Sequence, residues 1–151
     1  MRGQRVGMLL SGLVAVAVAM FGVPVGYFVF VYGCGKQEDR LAETIAGDPV
    51  LADGPAGAGE GTPYQGCDDD DLFVYAGKDY PYGASRQGAL AHYQESARAH
   101  GWRPRTAPGE APADCFTKRI GGTTAYLTLE GPDDGALRME IVADRADSDW
   151  C

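Results

Sequence analysis

Twenty-eight consecutive residues near the N-terminus, 6–33 (VGMLLSGLVAVAVAMFGVPVGYFVFVYG), carry no charged side chain. About 20 apolar helical residues span the hydrocarbon core of a bilayer, so a run of this kind reads as a transmembrane helix. At about 1.5 Å per residue it would reach roughly 42 Å, which leaves room for tilt or overhang. A cleaved secretory signal has an apolar stretch of only ~7–15 residues, and the expectation is therefore a retained anchor. Arg2 and Arg5 precede the run with no acid beside them, whereas Lys36 and Arg40 after it are mixed with Glu38, Asp39 and Glu43. Positive charge on the inner side then predicts a cell-membrane protein crossing once, with a cytoplasmic tail 1–5 and an extracytoplasmic C-terminal domain. Gly22 and Gly26 form a small-xxx-small pair and Pro24 lies between them, but one such pair in an Ala/Gly-rich span favours a lone helix over a dimer.

Beyond the span the chain is acidic. Eleven basic residues face 21 acidic ones, a formal charge of −10. Such a surface repels phosphate backbones, so no nucleic acid partner is expected.

Four cysteines, Cys34, Cys67, Cys115 and Cys151, lie at or after the end of the run, and none forms a Cys-x-x-Cys pair. An even number in a short domain fits disulfides in an oxidising setting. Cys34 has a second reading, since Val31-Tyr32-Gly33-Cys34 resembles a bacterial lipobox in which the cysteine is lipidated, although Tyr32 departs from that pattern.

The remainder divides by composition. Residues 36–46 (KQEDRLAETIA) predict a short helix within a juxtamembrane segment 34–51, with Leu41 and Ile45 on one face and Gly47 and Pro49 ending it. Residues 52–66, dominated by Gly, Ala and Pro, read as a linker. A folded domain is expected over 67–151. Residues 72–76 (LFVYA) read as a strand, and Ser85 as the N-cap of a helix running to His100 with Ala89, Leu90, Tyr93 and Ala97 inward. Gly101 and Trp102 supply a helix end. After a Pro-rich loop come strands at 115–120 and 123–129 around Gly121-Gly122, and a last strand alternating Leu137, Met139, Ile141 and Ala143 with polar neighbours. The expected fold class is α+β: a transmembrane helix followed by a β-α-β-β-β domain, one helix packed on a mainly antiparallel sheet. A right-handed crossover places the first strand parallel to the second or the fourth. If beside the second, it brings Cys67 and Cys115 to one sheet edge as a disulfide, leaving Cys34 and Cys151 to pair with each other or between chains.

Several groups invite a chemical reading. Asp68, Asp69, Asp70 and Asp71 are hard oxygen ligands in a row, weak candidates for a metal ion; they lack the alternate spacing of a calcium loop and read better as a solvated turn. His92 and His100 stand eight apart, about 80° round the helix, poor geometry for a shared metal. His92, Glu95 and Ser96 have the residue types of a triad without a pocket around them. Tyr80-Pro81-Tyr82 is the first place to look for a partner contact, because tyrosines offer area with a polar tip, although loop aromatics folded back over a small core are the commoner arrangement. No cofactor is expected and no catalytic residue is assigned.

Taken together, Gly66-Cys67 followed by acids, the aromatic strand, the helix ending in Gly101-Trp102, Cys115-Phe116-x-Lys118 and the terminal Trp150-Cys151 resemble a group of uncharacterised single-pass membrane proteins of actinobacteria, over roughly residues 47–151. The resemblance implies a bacterial cell-envelope setting and carries no activity. The function expected is a membrane-anchored, non-catalytic interaction module that contacts another envelope protein or a small ligand. A structural or regulatory partner acting through the membrane segment is the alternative, and a lipoprotein or metal-dependent enzyme comes third.

Overall fold

The computed structural model of the chain describes residues 33–105 and 114–151, with isolated positions 20 and 22. The chain divides into two units at Gly33–Cys34, and the second holds the sheet and the helices packed on it. Its first helix, α1 (Lys36–Ala46), starts where the Glu38 carboxylate accepts the Gly35 amide at 3.0 Å. Glu38 and Asp39 in the first turn suit the positive end of the helix dipole. Leu41, Ala42 and Ile45 form its buried face. Asp48 then caps a 3-10 turn, Pro49–Ala52, whose Val50 and Leu51 are also buried.

Six strands follow: β1 (Thr62–Cys67), β2 (Phe73–Pro81), β3 (Arg103–Pro104), β4 (Cys115–Ile120), β5 (Thr123–Asp133) and β6 (Ala136–Asp144), with helix α2 (Arg86–Ala99) between β2 and β3. They make one sheet in the order β1-β2-β6-β5-β4-β3, antiparallel at every pairing. Ser85 caps α2 by accepting the Gly88 amide at 3.2 Å. Gly101 at φ +81° ends the helix, with Trp102 N–H donating to Ala97 O and Gly101 N–H to Arg98 O, the paired bonds of a Schellman end. Gly121 and Gly122, both at positive φ, turn β4 into β5 as a two-residue hairpin requires.

One sheet face carries the core. Val74, Ala76, Phe116, Ala125, Leu127, Met139, Ile141 and Ala143 pack beneath α1 and α2, whose Ile45, Tyr93 and Ala97 are fully covered. Tyr93 donates to Leu127 O at 2.7 Å and meets Phe116 edge-on at 5.2 Å. Burial holds the Tyr93 phenol far above its usual range, the nearby Asp114 charge adding to this, so it stays a donor. Asp48, almost fully buried, accepts from Lys118 Nζ at 2.7 Å, from Trp102 Nε1 at 3.3 Å and from the Val50 amide at 3.1 Å.

The structure corrects several expectations. Among the described residues no helix is long and apolar enough to cross a membrane; α1 and α2 have 11 and 14 residues, short of the ~20 a span needs. The expected span over 6–33 lies outside the described residues apart from positions 20, 22 and 33. In place of the expected transmembrane helix and β-α-β-β-β domain, the described residues form a two-helix, six-strand antiparallel α+β domain, and none of them supplies the anchor on which the membrane partner and the single-pass location with a cytoplasmic N-terminus rested. Residues 36–46 are helical as expected, but α1 is a core element laid against β1 and β2, not a juxtamembrane spacer. The segment read as linker, 52–66, contains most of β1, and several of its glycines are packed: a Cβ on Gly54 or Gly61 would lie 2.5 or 2.6 Å from the Tyr80 ring.

Among the described residues no parallel pair forms, for a topological reason. Four antiparallel steps separate β2 from β3, so those two strands run the same way. The crossover through α2 lands on the two-residue β3, hidden in sequence inside a Pro-rich loop, and the next turn reverses direction before β4. Cys67 then sits four strand spacings from Cys115, roughly 19 Å at ~4.8 Å each, too far to bridge. The disulfides are Cys34–Cys67 and Cys115–Cys151, in place of the expected Cys67–Cys115 and Cys34–Cys151. With its sulfur in a disulfide, Cys34 does not carry a lipid.

Two substitutions test this packing. Asp48→Ala leaves the Lys118 ammonium and the Trp102 indole N–H without their acceptor, and should lower unfolding free energy by about 3 kcal/mol in a denaturant titration; a loss below about 1 kcal/mol would show that the buried pair does not brace the fold. Gly77→Ala places a Cβ 2.5 Å from the Met139 carbonyl oxygen and against the Tyr64 ring, and should cost about 1–3 kcal/mol by the same measurement.

Candidate functional site

Strand alternation sends Phe73, Tyr75, Tyr126, Thr128, Glu130, Glu140 and Val142 to the face opposite the helices. On a sheet of this size such a face is ordinarily polar, yet here it is rich in rings. Tyr64 and Gly77 are direct cross-strand partners, as are Gly66 and Tyr75. Each tyrosine lies over the other strand's glycine, covering backbone that glycine leaves bare. The rings continue as Tyr64–Tyr75 (6.3 Å), Tyr75–Phe73 (6.1 Å) and Phe73–Trp150 (4.7 Å).

Trp150 reaches this face because the C-terminal tail folds back over it. Cys151 is tied to Cys115. Arg105 makes a bidentate pair with Asp149 and places its guanidinium 5.7 Å from the centre of the Tyr126 ring. Asp144 accepts from Ser148 N–H at 2.9 Å and from Trp150 Nε1 at 3.3 Å. Asp147 accepts the Thr124 amide at 2.6 Å and pairs with Arg119 at 3.1 Å. Between the tail and the sheet lies an open hollow of about 270 Å³, walled by Phe73, Tyr126, Val142 and Trp150 and edged by Glu130 and Glu140.

Charge around the hollow is unbalanced. Arg138 is held by Asp79 through two bonds, at 2.8 and 3.3 Å, and lies 5.3 Å over the Tyr64 ring; Arg105 is held by Asp149. Neither Glu130 nor Glu140 has an ion pair with a base among the described residues. Glu140 accepts the Tyr64 hydroxyl at 3.0 Å. Burial, and after it the Glu140 charge, push the Tyr64 phenol far up, so it remains a donor.

The residues singled out by sequence take other roles. The aspartates close the β1–β2 turn: Asp68 Oδ1 accepts the amides of Asp70 and Asp71, and Asp69 Oδ1 accepts the Cys34 amide at 2.8 Å. No group of three metal-binding side chains occurs among the described residues. His92 and His100 do approach one another's surroundings, each with Nε2 within 4 Å of the Asp53 carboxylate, at 3.8 and 3.9 Å. His92 also bonds the Asp53 carbonyl at 3.0 Å. His100 escapes the helical angle between them because it is the C-cap. Ser96 points into the core with no partner for its hydroxyl, so His92 and Ser96 do not converge. Tyr80 and Tyr82 are buried, Tyr80 donating to Leu51 O at 2.7 Å and Tyr82 to Ser85 O at 3.4 Å; the expected partner-contact loop is part of the core.

Sequence reading missed Phe73, Tyr126, Glu130, Glu140 and Trp150 as a group. Their alternation with the core residues was legible, but the tail that walls the hollow was not. No family model, no curated protein and no solved structure matches the chain, so the site is read from its geometry.

The tail carries a pH effect. The Thr124 amide, then the Thr124 hydroxyl, the Thr123 hydroxyl and the Arg119 charge, lower the Asp147 carboxyl from 3.8 to about 2 against the opposing effect of burial. A depressed carboxyl contributes stability that is fully present above its unfolded value and is lost as pH falls through the folded one. This corner should therefore hold at pH 3.8 and loosen toward about 2. The Thr124 amide shift, followed by NMR, should titrate near the lower value; a midpoint at 3.8 would contradict the hydrogen bonding described.

Proposed function

We propose that the chain is a disulfide-braced binding domain whose ligand sits on the outer sheet face, in the hollow beneath Trp150. The observation that carries this reading is the tail itself. Residues 145–151 are fastened by a disulfide, a bidentate ion pair and two carboxylate caps, and the result is an aromatic-walled concavity rather than a closed seam. Binding sites are concave and mostly apolar, with a few placed polar groups, and this one has three rings, one valine, one threonine and two carboxylates. Its volume is near the low end of the ~300–1,000 Å³ usual for small-molecule sites, so it suits a head group or a single side chain. The two cross-links fit service in an oxidising environment.

Nile red, a neutral apolar dye, tests the site without presuming its ligand. Its fluorescence should rise on titration with the full-length chain. Trp150→Ala, which removes one wall, and Val142→Met, which fills the floor, should each weaken the dye's apparent affinity by about threefold or more, with far-UV circular dichroism unchanged. Equal enhancement in the wild type and both variants would place the dye elsewhere and remove the reading.

A further inference from the structure

The hollow's walls and its rim ask for different things from a ligand, and together they define a chemical class. Phe73, Tyr126 and Trp150 line a space open to solvent, Phe73 and Trp150 half-buried and Tyr126 buried beneath Arg105. Ring faces attract cations through their quadrupole, most strongly at tryptophan. This domain already uses that attraction twice on the same face, with Arg105 over Tyr126 at 5.7 Å and Arg138 over Tyr64 at 5.3 Å. Both guanidiniums are neutralised by their own partners, Asp149 and Asp79. Asp144 is occupied by Trp150 and Ser148. What is left facing the space is Glu130 and Glu140.

Glu140 is held in place. The Tyr64 hydroxyl donates to its Oε2 at 3.0 Å, and Tyr64 is fixed in turn by lying over Gly77 and under Arg138. The bidentate Asp79 pair holds the Arg138 guanidinium to β2; Arg138 feels the Glu140 charge but makes no ion pair with it. A tyrosine donor orients the carboxylate without cancelling its charge. Tyr64 is thus a positioning residue, acting through Glu140.

We propose that the hollow binds an organic cation, a substituted ammonium group seated among Phe73, Tyr126 and Trp150 with Glu130 and Glu140 as counter-charges. This rests on the outer-face site proposed above and adds the class of its ligand. The same group is offered by a free quaternary amine or by a methylated lysine side chain on a peptide. The chain's formal charge of −8 draws either toward this face by long-range attraction.

The Trp150 indole N–H, bonded to Asp144, gives a resonance distinct from that of the buried Trp102. In 1H–15N spectra of the full-length chain it should shift saturably with tetramethylammonium chloride, measured against sodium chloride at equal ionic strength. Neopentyl alcohol, a neutral molecule of similar shape, should produce no comparable saturable shift. Glu130→Gln and Glu140→Gln should each weaken tetramethylammonium binding about threefold. Tyr64→Phe should weaken it by a similar factor while leaving Nile red affinity unchanged, which a purely structural role for Tyr64 would not do. N-acetyl-trimethyllysine methylamide separates the two sources: tighter binding than tetramethylammonium assigns a peptide side chain, equal binding a free amine. Neopentyl alcohol binding as well as the cation, or a Glu130→Gln/Glu140→Gln double variant binding tetramethylammonium unchanged, overturns the cation assignment. If Nile red still binds in the Trp150-dependent way, the hollow survives and only the ligand class falls; if Nile red does not bind there either, the site itself falls.

Discussion

Asp48 joins three parts of the chain that are far apart in sequence. Its carboxylate takes the Lys118 ammonium from β4, the Trp102 indole N–H from the end of α2 and the Val50 amide from the turn after α1. Lys118 also lies 5.6 Å over the Trp102 ring, so cation, anion and indole fix one another. A carboxylate this buried is tolerable only because it is charge-paired and its lone pairs are filled. Around that point α1, α2 and the sheet close on a single core, and the positions of both helices on the inner face follow from it.

The sheet then separates two kinds of chemistry. Its inner face is sealed by apolar side chains and braced at the β1 edge by Cys34–Cys67. Its outer face is crossed by the tail, pinned at β4 by Cys115–Cys151. Each disulfide thus ties a terminal segment to a strand, one on either face. This division leaves Phe73, Tyr75 and Trp150 half-covered and Tyr126 buried, stable enough to be ordered with the first three open enough to meet a ligand. Rings that would be a liability on a bare sheet are partly shielded by the tail and by the glycine–tyrosine pairs.

Much of the local structure was legible. Ser85, Gly101 and Trp102 mark both ends of α2 by capping chemistry that acts within a few residues. The Gly121-Gly122 hairpin and the alternation along β5 and β6 are equally local. The misreadings were of features whose meaning depends on distant partners. A Gly-rich stretch looks like a spacer until Tyr80 lies on Gly54 and Gly61. Tyr80 and Tyr82, offered as a first place to look for a partner, lie in the core instead, with Leu51 O and Ser85 O accepting their hydroxyls.

The amino-acid order alone marked both helices and the strands β2, β4, β5 and β6, though not β1 or β3, because caps, turns and the two- and 3.6-residue periods are short-range properties of the backbone. It also set which residues of each strand face the same way. Strand order, disulfide pairing and the hollow under Trp150 were decided only by the tertiary structure. They depend on the two-residue β3 taking the return from α2, and on a tail whose anchors, Arg105, Cys115 and Thr124, are brought within its reach by the sheet rather than by sequence separation.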